Sequence, residues 1–226
     1  MIYLFIVAHP DDEVLGAGAT IYKLAKEGHT IIVGILSGEV DARRNRPQIK
    51  ELYRDIIQCG RIIGIKRFIL GKFPNIAFNT VSHLKLVKFI EKIIINEKPD
   101  VIFTHHPADL NNDHYATSIA CQAAIRLFQR RTDLPPIKEF LYMEILSSTE
   151  WAVNTALKSF QPNTFVEVGE LGIKKKIEAL SEYIGVMREY PHPRSKEAMR
   201  GLATYRGCQA GMCYAESFET VFRREI

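Results

Sequence analysis

Residues 2–28 read IYLFIVAHPDDEVLGAGATIYKLAKEG, and three patterns follow one another in this stretch. Residues 2–8 form a short continuous run of branched and aromatic side chains, which is typical of a strand buried on both faces of a sheet. Residues 9–13 are polar, and residues 14–28 place apolar side chains at helical spacing before a glycine that suits a helix C-terminus. The chain therefore opens with a strand, a polar loop and a helix.

The same alternation continues along the chain. Further strands are predicted at residues 30–36, 68–70 and 101–104, and helices at residues 47–64, 81–96 and 113–130. Strands that alternate with helices of about a dozen residues or more indicate right-handed crossovers and a parallel sheet covered on both faces. We therefore predict an α/β fold with a mostly parallel central sheet.

Beyond residue 130 the pattern is less regular. Strands are predicted there at residues 137–145 and 164–168, and helices at residues 173–188 and 196–205. The sequence contains no internal repeat and no convincing linker, so we predict a single domain over residues 1–226. In this prediction a parallel core covers about residues 1–130 and a less regular part covers about residues 131–226.

The composition is that of an ordinary folded protein. The chain has 226 residues, of which 46% are hydrophobic and 25% are charged, and its net charge of +4 comes from scattered basic residues. So small an excess predicts neither a nucleic-acid partner nor a membrane partner. No stretch reaches the roughly 18 apolar residues of a membrane-spanning helix, and the apolar N-terminal run lacks the basic flank of a signal peptide.

The cysteines indicate a reducing environment. There are four, Cys59, Cys121, Cys208 and Cys213, and they show no CxxC pair or other metal-binding spacing. Without an export signal, four reduced thiols in a reducing compartment are the simplest interpretation. We therefore expect a cytoplasmic protein.

Two polar clusters follow predicted strands at their carboxyl ends. The first is HPDDE at residues 9–13, and the second is HHPADLNNDH at residues 105–114. Because parallel sheets bind ligands at the carboxyl ends of their strands, we expect the two loops to meet there. His9 and one aspartate of the first loop are candidate metal ligands, whereas the simpler alternative is a polar turn in which Asp11 or Asp12 caps the next helix.

The types of the candidate ligands limit the metal and the reaction. Nitrogen and oxygen ligands disfavour copper(I) and iron–sulfur clusters and leave Zn²⁺, Fe²⁺, Ni²⁺ or Mn²⁺. Such a metal lowers the pKa of water, and a neighbouring carboxylate can take the proton that is released. Hydrolysis is therefore the chemistry that the two clusters favour.

Three segments together resemble the LmbE-like (PIG-L) family of zinc-dependent deacetylases. They are AHPDDEVLGAG at residues 8–18, HHPADLNNDH at residues 105–114 and LATYRGCQAGMCYAESF at residues 202–218. The resemblance implies a Rossmann-like three-layer sandwich and the removal of an acetyl group from N-acetylglucosamine units of small glycoconjugates. It also implies that His9, Asp12 and His114 bind zinc and that Asp11 is the general base. A small amino-sugar substrate is expected, and members of the family often self-associate into homo-oligomers.

The second cluster departs from the family pattern at one position. Many members carry a histidine three residues before the ligand histidine, and this chain has Asn111 there. An amide donates hydrogen bonds but is no cationic acid, so His106 and His192 are candidates for the missing charge, or else are ordinary loop histidines. Asp113 either caps the following helix or orients an imidazole or a substrate group. Glu13 is expected to anchor the turn through backbone N–H groups.

The resemblance further implies an arginine after the second strand that contacts the substrate. Four arginines lie in that region, Arg43, Arg44, Arg46 and Arg54, and we take Arg46 and Arg54 as candidates. The alternative is a solvated basic face. In the third segment, Arg206 and Glu216 are expected to form an ion pair that supports the pocket.

Two other classes of protein stay open. A nucleotide-binding oxidoreductase or transferase would also begin with a strand and a glycine-rich loop, but residues 16–18 do not give GxGxxG spacing, and the adjacent carboxylates would repel a pyrophosphate. A non-catalytic, metal-dependent sugar-binding module would keep the ligands and lose the base. Asp11 is present, which favours an active enzyme.

Overall fold

Seven strands of the chain form one sheet. The computed structural model describes residues 1–40, 47–152 and 159–225. The strands are β1 (Ile2–Val7), β2 (Thr30–Ile35), β3 (Arg67–Leu70), β4 (Val101–His105), β5 (Glu139–Met143), β6 (Thr164–Glu167) and β7 (Ala215–Arg223). Their order across the sheet is β3-β2-β1-β4-β5-β7-β6, and β7 runs in the direction opposite to the other six strands. The predicted α/β fold with a mostly parallel sheet is confirmed.

Helices cover both faces of this sheet. They are α1 (Asp12–Lys26), α2 (Ile49–Ile63), α3 (His83–Glu97), α4 (Asn112–Ala124), α5 (Gly169–Ser181) and α6 (Lys196–Ala210), with short 3₁₀ turns at Phe78–Thr80, Ile125–Gln129 and Thr149–Trp151. Among these described residues, no helix is long and apolar enough to cross a membrane.

The two faces of β1 lie in two separate hydrophobic cores, which explains its uninterrupted apolar sequence. Phe5 and Val7 pack into the core formed with α1, α2 and α5, and Leu4 and Ile6 pack into the core formed with α3 and α4. All four side chains are fully buried. Successive residues of a strand point to opposite faces, so a central strand with helices on both sides must be apolar at every position. The result is the expected three-layer sandwich.

The C-terminal part differs most from the prediction. Residues 215–223 form β7, which was not predicted as a strand, and β7 separates β5 from β6 in the sheet. The predicted helix over residues 173–188 ends at Ser181, although apolar residues continue beyond it. Tyr183 and Val186 are buried in the turns that follow, so their spacing imitates a helix without forming one.

The predicted ion pair between Arg206 and Glu216 is wrong. Arg206 instead forms a bidentate pair with Glu144, at 2.8 Å and 2.7 Å. Glu216 pairs with the buried Lys176, whose Nζ lies 2.6 Å from the carboxylate. Both pairs bring together residues that are far apart in sequence, and sequence spacing alone does not reveal such partners.

The buried pair of Lys176 and Glu216 fills a break in α1. At Ala17 the backbone leaves the helical conformation, with φ −149° and ψ 18°. In a continuous helix the N–H of Ala19 would bond to the carbonyl of Leu15. Here the Leu15 carbonyl accepts from Lys176 Nζ at 2.7 Å, and the Ala19 N–H donates to Glu216 at 3.3 Å. The ion pair therefore satisfies backbone groups of the helix that begins at Asp12, within the first polar cluster.

Candidate functional site

The two polar clusters meet between β1 and β4. From β1 the chain continues to β2, toward one edge of the sheet, and from β4 it continues to β5, toward the other edge. This reversal of strand order creates the crevice in which α/β proteins bind ligands. His9, Asp12 and His114 are all buried, and each offers a ligand atom within 4.8 Å of the other two. Nδ1 of His9 lies 3.4 Å from Oδ2 of Asp12, and Nε2 of His114 lies 3.3 Å from the same oxygen. The fold thus brings together the three expected zinc ligands.

His9 is held in place by Asp113. The imidazole Nε2 lies 2.9 Å from Oδ2 of Asp113, and the same carboxylate accepts backbone N–H groups from Ile76 at 2.7 Å and Phe78 at 2.9 Å. Because a carboxylate only accepts, Nε2 carries a proton, and Nδ1 can offer its lone pair to a metal once it gives up any proton that it shares with Asp12. Burial lowers the pKa of His9, but hydrogen bonds to Asp113 and Asp12 outweigh it and raise this pKa. Asp113 therefore orients an imidazole.

The helix-cap alternative for Asp113 is wrong. Asn111 occupies the N-cap position of α4, and its side-chain oxygen accepts the N–H of Asp113 at 2.9 Å. Asn111 also lines the cleft over the site. Its oxygen is used by the cap, so the NH₂ end of the amide is the group that this residue offers to a ligand.

His114 has a carboxylate partner of its own, Asp109. Nδ1 of His114 lies 3.1 Å from Oδ1 of Asp109, whose carboxylate also accepts hydrogen bonds from Ser148 and, at 2.7 Å, from Thr149. Burial alone would lower the pKa of His114, but Asp12 and Asp109 raise it to about 10. Nε2, the other nitrogen, faces Asp12. Sequence reasoning assigned no role to Asp109, although its place five residues before His114 is visible in the second cluster.

The residues fit a divalent cation. Two imidazole nitrogens and one carboxylate face one another, and the outer nitrogen of each imidazole is fixed by a buried carboxylate, an arrangement typical of metal-binding histidines. Burial would raise the pKa of Asp12, but the neighbouring His114 holds it well below its usual range. Nitrogen and oxygen ligands of this kind suit zinc, iron(II), nickel and manganese.

A second group of possible ligands, His105, Asp109 and His114, overlaps with the first. Its carboxylate is already bound to His114, and Nε2 of His105 accepts the N–H of Ala8 at 2.8 Å. Burial, followed by the charge of His114, lowers the pKa of His105 to about 3, so its ring is neutral. The rings of His105 and His114 stack at 3.9 Å. We therefore assign His105 to the support of His114 and keep the first group as the metal site.

Asp11 lies beside the three candidate ligands but is not one of them. It precedes α1 with φ 108°, and its side chain makes no capping hydrogen bond, so the capping alternative for this residue is wrong. Left-handed backbone is rare for residues other than glycine, and aspartate and asparagine adopt it most readily among them. Instead the carboxylate lines the cleft, with Oδ2 3.4 Å from Nη1 of Arg194.

Glu13 stabilises the turn that carries Asp11. Its carboxylate accepts the N–H of Asp11 at 3.1 Å and the hydroxyl of Tyr183 at 2.5 Å. The side chain is fully buried, and this burial raises the pKa of Glu13 to about 7. The expected anchoring through a backbone N–H group is present.

Neither of the two candidate histidines for the missing charge lines the cleft. Nε2 of His106 lies 3.4 Å from Glu219, and its ring packs against Tyr142 and Phe160. His192 is exposed, and its Nδ1 accepts the N–H of Arg194 at 3.0 Å. Both histidines are held by interactions within the fold, so their assignment to the site is corrected. The cationic side chain beside Asp11 is instead Arg194, which lies two residues after His192.

The two candidate arginines have different outcomes. Arg54 is 65% exposed in its side chain, lies 3.7 Å from Asp55 and does not line the cleft, so its assignment to the substrate site is corrected. Arg46 lies outside the described residues. The cleft has a volume of about 360 Å³ and is lined, besides site residues, by Val40, Asn75, Ile76, Gly185, Arg188 and Arg194. The two arginines of this wall were not predicted, although Arg194 lies in the proline-rich run YPHPRS at residues 190–195.

A parallel sheet with a histidine–aspartate–histidine site at its crevice, and a separate carboxylate beside that site, is typical of metal-assisted hydrolases. The model of the family PIG-L, described as GlcNAc-PI de-N-acetylase, matches residues 4–125, which is more than half of the chain. The chain belongs to this family, as the LmbE-like resemblance implied. It is therefore a deacetylase, an enzyme that hydrolyses an amide bond.

Individual proteins resemble the chain over most of its length. The Escherichia coli (strain K12) protein named "Uncharacterized deacetylase YaiS" is 29% identical over 188 residues, which cover 80% of this chain and 89% of that protein. An N,N'-diacetylchitobiose deacetylase from Pyrococcus horikoshii, solved with its inhibitor MPG, has a TM-score of 0.79 at 18% identity and covers 97% of this chain and 83% of its own. GalB, the 4-carboxy-2-hydroxymuconate hydratase from Pseudomonas putida KT2440, has a TM-score of 0.78 at 18% identity, covering 100% and 98%. Enzymes of two reactions therefore share this fold.

Asp113 offers a test of how far the supporting carboxylates matter. Asp113→Asn should weaken zinc binding by roughly 10- to 100-fold, because an amide no longer fixes the tautomer of His9. The measurement is a competition titration against a chelator of known affinity. Asp100→Asn is the matched control, since Asp100 also accepts a backbone N–H, from Ile2 at 2.8 Å, but precedes β4 instead of following it. Unchanged zinc affinity in Asp113→Asn would contradict this role.

Zinc affinity should also rise with pH. In the metal-free site His114 holds a proton, because Asp12 and Asp109 raise its pKa to about 10 despite its burial. Zinc must displace that proton, so raising the pH from about 6 to about 8 strengthens binding by about tenfold per unit for each proton released. Calorimetry in two buffers of different protonation enthalpy counts the protons. Binding that is independent of pH would show that His114 is not the protonated ligand.

Proposed function

We propose that the protein removes the acetyl group from an N-acetylglucosamine-type amino sugar, using a zinc ion held by His9, Asp12 and His114. The observation that carries the proposal is the paired support of the two imidazoles. Asp113 lies 2.9 Å from Nε2 of His9, and Asp109 lies 3.1 Å from Nδ1 of His114. Both inner nitrogens are thereby directed toward Asp12, as a metal site requires.

Asp11 is the group that moves the proton. A divalent cation, when bound, supplies the Lewis acidity that polarises an amide and makes water nucleophilic near neutral pH. Asp11 accepts the proton of the attacking water at its carboxylate and returns it to the nitrogen of the departing amine. Arg194 holds this carboxylate in the cleft, with Nη1 3.4 Å from Oδ2. One carboxylate thus serves as base and then as acid.

The oxygen of the acyl group acquires negative charge during the attack. Preorganised donors stabilise such an oxyanion. Asn111 lines the cleft next to His114, and the NH₂ end of its amide is the donor that we assign to this task. The asparagine therefore replaces a cationic histidine by a neutral donor, and we propose that the cation and this amide together suffice.

Two rival functions stay less favoured. A nucleotide-binding enzyme would need room for a pyrophosphate after β1, where this chain places Asp11, Asp12 and Glu13, all of them buried. A non-catalytic sugar-binding module would not need a carboxylate beside the ligands, yet Asp11 adopts a rare left-handed backbone conformation there. Conformations of this kind are retained where function requires them.

The deciding experiment is an assay of free amine and acetate from a panel of N-acetylated sugars. The purified protein is tested as isolated, after chelation, and after addition of Zn²⁺, Fe²⁺, Ni²⁺ or Mn²⁺. We expect amine and acetate to appear in equal amounts, to disappear on chelation and to return with zinc. Addition of water to an unsaturated acid without any deacetylation would instead assign the hydratase reaction.

Location and assembly remain predictions. The four cysteines favour a reducing compartment and the net charge of +4 favours neither a nucleic-acid nor a membrane partner, so we propose a cytoplasmic protein without such partners. We keep both as proposals, together with homo-oligomer formation. Light scattering of the purified protein measures the oligomeric state directly.

A further inference from the structure

One wall of the cleft is formed by a closed loop with an arginine at each end. The N–H of Arg188 donates to the carbonyl of Arg194 at 3.3 Å, which closes the loop over residues 188–194. Within it, the N–H of His192 donates to the carbonyl of Glu189 at 3.1 Å, and the ring of His192 accepts the N–H of Arg194. The loop is therefore ordered by its own backbone, and both arginines line the cleft that contains Asp11.

The two arginines are engaged very differently. Arg194 donates to Asp11 at 3.4 Å and, through Nε, to the hydroxyl of Ser147 at 2.7 Å. Arg188 is exposed, and its Nη1 donates only to main-chain carbonyls, those of Gly185 and, at 3.3 Å, Met187. Within the described ranges, no carboxylate lies within ion-pairing distance of Arg188. Its Nε and Nη2 make no hydrogen bond to the described residues, so both remain available to a ligand.

The surroundings of Arg188 are positively charged. Burial and then the charges of Arg194 and Arg188 lower the pKa of His192, which lies between them in the loop. The carboxylate of Glu150 opposes this effect, and it already accepts two backbone N–H groups of the turn before it. Among the residues that the structure describes, no carboxylate therefore pairs with Arg188 to neutralise its charge.

We infer that Arg188 recognises an oxyanion, a phosphate or a carboxylate, carried by the amino-sugar substrate. The inference rests on the proposed deacetylase function and adds the chemical class of the sugar's substituent. A guanidinium binds such groups through two parallel hydrogen bonds, which Nε and Nη2 can make together. A cleft of about 360 Å³ falls within the range of pockets for small ligands. Anionic N-acetyl amino sugars should therefore be better substrates than neutral ones.

The test compares substrates that differ only in charge. kcat/KM is measured for N-acetylglucosamine 1-phosphate, N-acetylglucosamine 6-phosphate, a carboxylate-bearing glycoside of N-acetylglucosamine and its neutral methyl glycoside. We expect wild type to prefer at least one anionic substrate, and we expect Arg188→Gln to lose roughly 10- to 100-fold more kcat/KM on that substrate than on the neutral glycoside. The substrate with the highest kcat/KM shows whether Arg188 recognises a phosphate or a carboxylate. Arg188→Lys keeps the positive charge but cannot make two parallel hydrogen bonds, so its kcat/KM on the anionic substrate should lie between those of wild type and Arg188→Gln.

Arg131→Gln is the matched control. It removes the same charge from an exposed arginine that pairs with Asp133 and does not line the cleft. This variant should leave the preference unchanged. Equal losses on neutral and anionic substrates in Arg188→Gln, or no preference in wild type, would overturn the inference.

A binding measurement separates this inference from the proposed function. If no sugar is deacetylated, the proposed function fails, and calorimetry with glucosamine 6-phosphate and with glucosamine still tests Arg188. Tighter binding of the phosphorylated amine by wild type, lost in Arg188→Gln, supports the anion site. The same affinity for both amines, or a preference that survives in Arg188→Gln, overturns it.

Discussion

Asp11→Asn is expected to reduce turnover of an N-acetylated amino sugar by at least about a hundredfold while bound zinc stays at the wild-type level. The carboxylate lies in the cleft beside the candidate ligands and outside their set, so its loss should remove the proton acceptor and spare the metal. Asparagine has nearly the same shape and also tolerates the left-handed backbone at φ 108°, so the turn before α1 should persist. A fall in kcat with intact metal is the result that separates a base from a ligand.

The measurement combines kinetics with metal analysis of the same preparations. Asp133→Asn is the control, because Asp133 is an exposed carboxylate that pairs with Arg131 and does not line the cleft. Thermal unfolding shows whether the variant is folded. Turnover near the wild-type rate in Asp11→Asn would exclude it as the base, and a parallel loss of zinc would place it among the ligands.

The sequence predicts the centre of the sheet and the position of the site well. Both follow from local patterns, since a strand that is apolar at every position must be central and buried on both faces. The alternation of strands and helices then determines a parallel sheet, and the carboxyl ends of parallel strands lie at one edge. Two polar clusters that follow such strands meet for this reason. His9 therefore contacts Asp113, the residue next to His114, although Asp113 lies 104 positions further along the chain.

What the sequence could not show is the choice of distant partners. The contact between Arg194 and Asp11 spans 183 residues, and the contact between Lys176 and the Leu15 carbonyl spans 161. Neither depends on spacing or periodicity, because each is decided by how loops and helices pack in three dimensions. For the same reason the sequence does not predict β7, since a strand inserted between β5 and β6 is defined by its neighbours in the sheet.

The second cluster nevertheless encodes most of its own support within ten residues. Asp109 binds His114, Asn111 caps α4, and Asp113 reaches across to His9. The cap fixes the start of the helix, and the helix in turn directs His114 toward Asp12.

His114→Ala is expected to abolish stoichiometric zinc binding. The change removes one of three ligands, and it also takes away the imidazole that separates Asp12 from Asp109. Zinc at a hundred times its dissociation constant should stabilise wild type by about 2.7 kcal/mol, and this stabilisation should be lost in the variant. Metal analysis and thermal unfolding with and without zinc measure both effects.

Two further variants keep this prediction testable if His114→Ala folds poorly. His114→Gln retains a side chain that can donate to Asp109 and lacks the imidazole, so it should fold better and still fail to hold zinc. His83→Ala removes an exposed histidine at the start of α3 and should bind zinc as wild type does. One zinc ion per chain in His114→Gln, at wild-type affinity, would exclude His114 from the ligand set.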